Sequence, residues 1–312
     1  MQANAIVFKE PQSLDLGSLT LPPMGPEDVL VKVEFSGIST GTERLLWEGT
    51  MPSFPGMGYP LVPGYETVGR VVAAGEKASA SVGARVYVPG SQCFQDARNL
   101  FGGSASRLIV PAARALPIGE SLAERGVLFA LAATAYHAHS APGLQQPDLI
   151  VGHGVLGRMI ARLAVLAGAS PVVWDTNPAR RAGAQGYTVI DPATDNKRNY
   201  KCICDVSGAA SLLDELIGRL APGGEVVLAG FYEAPLSFVF PPAFMREARI
   251  RVAAQWSPPD LAAVIELAGQ GRLSLDGLIT HHQEATQADA AYRTAFGDAD
   301  CLKMVLDWRQ IA

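Results

Sequence analysis

The sequence predicts an α/β protein with a β-rich part drawn from both ends of the chain and a central doubly wound parallel sheet. Three observations carry this reading. Short β-like runs between turns occupy the chain up to about Pro117. From Asp148 the rhythm changes to strand then helix, repeated several times. The first of those strands runs into a glycine-rich turn of the GxGxxG type.

The clearest early strands are Ala5–Phe8, Val29–Phe35, Gly69–Ala73, Arg85–Pro89 and Ser106–Val110, with Gly75, Gly83 and Gly102–Gly103 between runs. Ser121–Ala141 reads as a helix, with Ser121 at the N-cap and Glu124 at capping-box spacing. Its middle, GVLFALAATAYHAH, is apolar on most faces and predicts burial. Next come strands at Leu149–Val151, Pro171–Trp174, Cys202–Val206, Glu225–Ala229 and Ile250–Ala254. Helices are expected from the glycine turn to about Leu166, over Ala179–Gln185, over Ser211–Leu220 and over Leu261–Ala268. The expected division is 1–133 with 258–312, against 134–257.

Composition narrows the function classes. Of 312 residues, 48% are apolar and 18% charged, which fits buried cores and not disorder. The net charge of −5, without a basic run, argues against nucleic acid as a partner. The opening MQANAIVFKEPQ has no apolar core of signal length, and no run is long enough for an integral membrane segment. Cys93, Cys202, Cys204 and Cys301 form no CxxC, which suits a reducing cytoplasmic setting.

Gly152-His153-Gly154-Val155-Leu156-Gly157 follows a strand and opens a helix, the context a dinucleotide fingerprint requires. Its glycines permit a tight turn, close approach of a pyrophosphate and helix–strand packing. The helix N-terminus offers free N–H groups to phosphate. Asp175 ends the next strand, where a carboxylate accepts from ribose hydroxyls and repels a 2′-phosphate. This favours NAD over NADP, with Arg180 and Arg181 as the counter-argument. The bland reading of the glycines is an ordinary turn, and that of His153 a variable turn residue. Ser207-Gly208 and Gly230-Phe231 end later strands, in the usual ligand crevice of such sheets.

PLVPGYETVGRVVAAG, VGARVYVP, GGSASRLIVP, ATAYHA, GHGVLG, DGLITHH and CLKMVLDW follow one another in an order that resembles the medium-chain alcohol dehydrogenases along essentially the whole chain. The resemblance implies a GroES-like catalytic domain around a central Rossmann domain. It also implies a homodimer through the Rossmann sheet edge near Glu225–Phe240. The zinc ligands of that family are replaced. Ser39-Thr40 follows Gly37-Ile38 where a Cys is usual, Tyr65 stands for His beside a retained Glu66, and the third ligand would align near Ala130. The four-cysteine structural-zinc lobe is absent. Ser, Tyr and Ala do not make a tetrahedral zinc site, so no metal is expected. His281-His282 are neighbours on a strand and point oppositely.

STGTERLLWEGTMPSFPGMGYPLVPGYE is similar to a bacteriochlorophyll-biosynthetic branch of the family. That branch oxidises the 3-(1-hydroxyethyl) group of a tetrapyrrole, a chlorin or bacteriochlorin, to acetyl with NAD. The resemblance makes Tyr65 the leading candidate for the proton step. Ser39 and Thr40 follow as orienting or relay groups, then Glu66 and His137; the bland reading of each is a structural polar residue. Trp47, Phe54, Met57 and Tyr59 become candidates for a lip around the macrocycle, and Arg44 for its carboxylate. The bland reading of that loop is aromatics covering a core. Two alternatives stay open: a zinc-free quinone or enoyl reductase, and a non-catalytic pigment-binding protein.

Overall fold

The structure is a computed structural model and describes residues 1–53, 55–139 and 144–311. The chain forms two compact units, Met1–Ala130 with Leu275–Ala312, and Leu131–Ser274.

The first unit opens with an antiparallel hairpin of β1 (Gln2–Glu10) and β2 (Ser13–Thr20). β3 (Asp28–Ile38) is its organising strand, with Val29, Leu30, Val31 and Val33 buried and Lys32 exposed. A short helix follows, α1 (Thr42–Glu48), stopped by Gly49 in the left-handed conformation at φ 75°. β4 (Thr67–Ala74), β5 (Arg85–Val88), β6 (Arg107–Pro111) and β7 (Leu116–Pro117) extend the sheet. β3 pairs antiparallel with both β4 and β6.

The helix expected from Ser121 does not form as one piece. Glu120–Leu128 is 3₁₀ helix, interrupted at Ala123 (φ 44°, ψ −127°), and the α-helix α2 (Phe129–His139) begins only afterwards. The capping residue is Gly119, not Ser121, and Glu124 pairs with His282 (3.0 Å) instead of closing a capping box. Tertiary contacts decide this: Glu120 is held by Arg70 and Arg85, and a side chain on Gly126 would meet Val68 and Ile118 at 2.7 Å. The division between the units falls within α2.

The second unit contains β8 (Leu149–Val151), α3 (Val155–Leu166), β9 (Val172–Trp174), β10 (Thr188–Ile190), β11 (Tyr200–Asp205), α4 (Leu213–Arg219), β12 (Leu220–Leu228), α5 (Phe240–Met245), β13 (Arg249–Val252) and α6 (Pro258–Gly269). Its six strands run in the order β10-β9-β8-β11-β12-β13, every pair parallel. This is the doubly wound order of a Rossmann sheet.

The helix expected at Ala179–Gln185 shrinks to a 3₁₀ turn, Pro178–Arg181. The carbonyls of Arg180, Ala182 and Gly183 point to the buried Arg158 guanidinium (3.0, 2.9 and 3.4 Å) and so cannot extend a helix. Gly183 and Gly186 both sit at φ 81°.

The expected boundary at 258 lies earlier than the observed one, because α6 belongs to the second unit. Asp260 in its first turn accepts from Ser257 N–H (2.8 Å) and contacts His137 Nδ1 (2.8 Å). The chain then returns to the first unit as β14 (His281–Glu284), α7 (Ala288–Gly297) and β15 (Met304–Asp307). β15 pairs antiparallel with the end of β3 at Phe35–Ile38, so the C-terminal tail completes the sheet on which Ser39 stands.

Candidate active site

In the second unit all strands are parallel, so the turns after β8, β9, β11 and β12 lie along one edge of the sheet. Gly152 takes φ 104°, a conformation glycine enters without cost. A Cβ on Gly157 would stand 1.9 Å from the Gly152 carbonyl, so no other residue permits this helix–turn approach. Gly154 caps α3 without a side-chain bond, and a Cβ there would meet nothing within 4 Å. Open space over uncapped N–H groups at Gly154, Val155 and Leu156 is a cradle for a phosphate.

Asp175 is fixed from two sides: Oδ2 accepts from His153 N–H (2.9 Å) and Oδ1 from Asn177 N–H (2.8 Å). His153 is therefore more than a variable turn residue. It is fully buried, with Nδ1 donating to the Arg180 carbonyl (2.6 Å) and Nε2 accepting from the Tyr187 hydroxyl (2.8 Å). Burial pushes its pKa down to about 4, which keeps this neutral tautomer. Ser207 N–H bonds Asp205 Oδ1 (2.9 Å), and the Tyr232 hydroxyl bonds Asp205 Oδ2 (2.8 Å), so one carboxylate ties together the turns carrying Ser207-Gly208 and Gly230-Phe231. Gly208 takes φ 74°, a Cβ on Gly230 would lie 3.2 Å from Gly208 N, and Phe231 is exposed.

In the first unit the Tyr65 hydroxyl donates to Ser39 Oγ (2.6 Å), joining the two positions where the resemblance places metal ligands. Tyr65 packs edge-on against Phe101, ring centroids 5.0 Å apart, and Thr40 beside Ser39 is exposed. Burial and the nearby Glu66 raise the Tyr65 phenol well above its ordinary value. Glu66 lies behind this pair. It is wholly buried, and both its oxygens are held by the Lys303 ammonium (2.7 and 3.0 Å), which also donates to the Ile38 carbonyl (3.1 Å). A Cβ on Gly37 would stand 2.2 Å from Glu66 Oε2, so that glycine lets the carboxylate reach β3. With both oxygens committed to Lys303, Glu66 acts as a strut.

Two buried groups had no signal in the local sequence. Lys303 is one. Glu43 is the other: Oε1 accepts from Ser39 N–H (3.4 Å) and Oε2 from the Tyr292 hydroxyl (2.7 Å). Long-range pairing reveals each of them. His137 belongs to the second unit, where its ring contacts Asp260. His281 and His282 face different partners, Asp298 and Glu124. Among the described residues no group of three or more His, Cys, Asp or Glu is placed to hold a metal ion.

The expected lip is corrected in part. Trp47 is a core residue, only 6% exposed, packed against Phe8, Tyr292 and Phe296. Met57 and Tyr59 lean on the same core, and the Tyr59 hydroxyl donates to the Leu46 carbonyl. Arg44 is exposed, and its Nε pairs with Glu48 one turn along α1 (2.8 Å). Phe54 lies outside the described residues.

The family model of the alcohol dehydrogenase GroES-like domain matches residues 25–120. The chain is 53% identical over 311 residues to 2-desacetyl-2-hydroxyethyl bacteriochlorophyllide A dehydrogenase of Rhodobacter capsulatus, covering 99% of each. The fold is shared with L-idonate 5-dehydrogenase of Escherichia coli K-12 (TM-score 0.86, 20% identity, 98% of each chain). It is shared also with an alcohol dehydrogenase of Escherichia coli CFT073 in complex with NADH (TM-score 0.82, 22% identity, 98% and 99% of the two chains). The protein is a dehydrogenase: it belongs to the medium-chain alcohol dehydrogenase superfamily and, within it, to the bacteriochlorophyllide A dehydrogenase family.

Proposed function

We propose that the protein oxidises the 3-(1-hydroxyethyl) group of a bacteriochlorophyllide-type tetrapyrrole to 3-acetyl, with NAD+ as hydride acceptor and without a catalytic metal. The observation that carries the substrate is the 53% identity over 99% of both chains with a relative named for that reaction. The nicotinamide supplies the hydride acceptor when bound. Gly152, Gly154 and Gly157 give its pyrophosphate room and free N–H groups. Asp175, held by two backbone N–H groups, meets the ribose and supports NAD over NADP. Arg181 is paired with Asp191 (2.8 Å), which weakens its claim on a 2′-phosphate.

The donor set speaks against zinc. A serine hydroxyl and a phenol whose pKa burial raises are poor ligands beside the thiolates, imidazoles and carboxylates that zinc prefers. What remains is a hydrogen-bonded pair. Tyr65 and Ser39 orient the substrate hydroxyl and relay its proton, a contribution of ~10²–10⁴-fold for a well-placed proton-transfer group. The substrate carbon helps, because a carbinol attached to a conjugated macrocycle shares the positive charge that develops as hydride leaves.

The test adds a 3-(1-hydroxyethyl) bacteriochlorophyllide and NAD+ to the purified protein and follows NADH with the pigment spectrum. NADH formed in step with 3-acetyl pigment is expected, undiminished by prior chelation. No NADH overturns the function, faster turnover with NADP+ overturns the cofactor choice, and loss on chelation restored by zinc overturns the metal-free reading.

A further inference from the structure

A bacteriochlorophyllide-type pigment is a flat apolar ring with a propionate carboxylate on its rim. A site for it needs apolar surface beside the reacting hydroxyl and a cation farther out. The first unit carries both. Residues 60–64 and 98–104 run side by side. Arg98 N–H donates to the Pro60 carbonyl (2.9 Å), Val62 N–H to the Arg98 carbonyl (2.8 Å), Gly102 N–H to the Val62 carbonyl (2.9 Å) and Ser104 N–H to the Pro63 carbonyl (2.9 Å). The first segment leads directly into Tyr65, and Phe101 of the second packs edge-on against the Tyr65 ring (5.0 Å). Arg98 comes three residues before Phe101, so their backbones are at most roughly 11 Å apart. That is of the order of the macrocycle's own width.

The Arg98 side chain is exposed, yet its place is defined. The turn that carries it is pinned by Asn99, whose amide bonds the N–H and carbonyl of Phe94 (2.8 Å each) and the Ala97 carbonyl (3.1 Å). Its stem lies against Gly58, where a Cβ would stand 2.8 Å from Nε and 3.2 Å from Cζ. Among the described residues no hydrogen bond or ion pair engages the guanidinium. The acid nearest in sequence, Asp96, accepts instead from Thr20 N–H (2.7 Å). Met57 and Tyr59, on either side of Gly58, and Phe101 are each half-buried and leave apolar surface around this cation.

We propose that Arg98 binds the carboxylate of the pigment and makes the enzyme select the free acid over its ester; the assignment deepens the alcohol-oxidation reading above and rests on it. The planar guanidinium offers two parallel N–H groups to the two carboxylate oxygens, a fork that an ester cannot match with charge. The contact fixes the rim of the ring at one end, while the Tyr65–Ser39 pair meets the hydroxyethyl group at the other. Arg98 is thus a specificity-determining residue and takes no part in the proton step.

The experiment measures binding of a 3-(1-hydroxyethyl) bacteriochlorophyllide, as the free acid and as its methyl ester, by the shift in pigment absorbance without NAD+, and then NADH formation with it. Wild type is expected to bind the acid roughly tenfold or more tighter than the ester, the worth of a hydrogen bond to a charged group. Arg98→Ala brings the acid down to the affinity of the ester and leaves the ester where it was. Arg98→Lys, which keeps the charge without the fork, recovers part of the preference. Equal binding of acid and ester by wild type overturns the assignment. So does a preference that survives Arg98→Ala, an equal weakening of both pigments, or a preference lost in Arg44→Ala and kept in Arg98→Ala. An acid preference that depends on Arg98, with no NADH formed from either pigment, keeps the carboxylate anchor and rejects the alcohol-oxidation reading. NADH formed with the same kcat/KM from acid and ester keeps that reading and rejects the anchor. Binding of neither pigment overturns both.

Discussion

Replacing Lys303 by Met tests whether the strut behind the candidate site is real. The lysine is 1% exposed and Glu66 not at all, and the ammonium makes three hydrogen bonds, two to Glu66 and one to Ile38. Met fills most of the volume but supplies no charge. Glu66 cannot swing out to water, because the Gly37 backbone sits against its oxygen. Removing one partner of such a pair costs ~3–5 kcal/mol. The sign of the pH dependence follows. Burial already raises Glu66 above its ordinary 4.5, with Lys303 opposing, so losing the lysine raises it further. A carboxyl whose folded pKa is raised loses stability as pH climbs through the window above its unfolded value, by up to ~1.4 kcal/mol per unit. Lys303→Met is therefore expected to be least harmful near pH 5 and most harmful near pH 8. Urea unfolding at both pH values measures it, and adding Glu66→Gln should recover much of the loss at pH 8. A cost below ~1 kcal/mol at pH 8, or one that does not shrink toward pH 5, would refute the buried-pair account.

Three further outcomes are expected. Trp47→Ala opens the aromatic cluster with Phe8, Tyr292 and Phe296 and should cost ~3–5 kcal/mol in urea unfolding; a small stability change with a raised KM for the pigment would return Trp47 to the substrate surface. Gly157→Ala drives a methyl into the Gly152 carbonyl, 1.9 Å away, so NADH binding followed by fluorescence should weaken by ~10-fold or more; unchanged affinity would mean the turn is not the phosphate cradle. Asp175→Ser removes the carboxylate that excludes a 2′-phosphate, and the NAD+/NADP+ ratio of kcat/KM should fall by ~10-fold or more; an unmoved ratio would show that Asp175 does not set cofactor choice.

What the sequence revealed was local. The parallel sheet announced itself through strand–helix alternation, and the glycine turn through spacing, because both are properties of neighbouring residues. The departures have causes that lie far away in sequence. Ser121 and Glu124 have capping-box spacing, yet Glu120 and Gly126 are held by contacts with Arg70, Arg85, Val68 and Ile118 that break the turn. The run after Pro178 has helix-forming residues, but Arg158 on α3 takes its carbonyls. Trp47 sits in a Pro- and Gly-broken stretch that reads as surface, while the aromatic partners that bury it, Tyr292 and Phe296, come from α7.

The same distance separates the readable from the unreadable half of the candidate site. A metal centre is legible because its ligand types are few, so Ser39 and Tyr65 stand out where Cys and His are usual in the family. The buried acids beside these two residues take their meaning from partners. Glu43 is one of several glutamates until Tyr292 meets it, and Glu66 is a motif remnant until Lys303 takes both its oxygens. Those partners lie on α7 and at the edge of β15, in the tail that completes the sheet beside β3. Folding the C-terminal tail back is thus what ties Glu66 to Lys303 and Glu43 to Tyr292. It follows that substitutions at Tyr292 or Lys303 should alter the chemistry at Ser39 and Tyr65 more than substitutions at the exposed and sequence-adjacent Arg44.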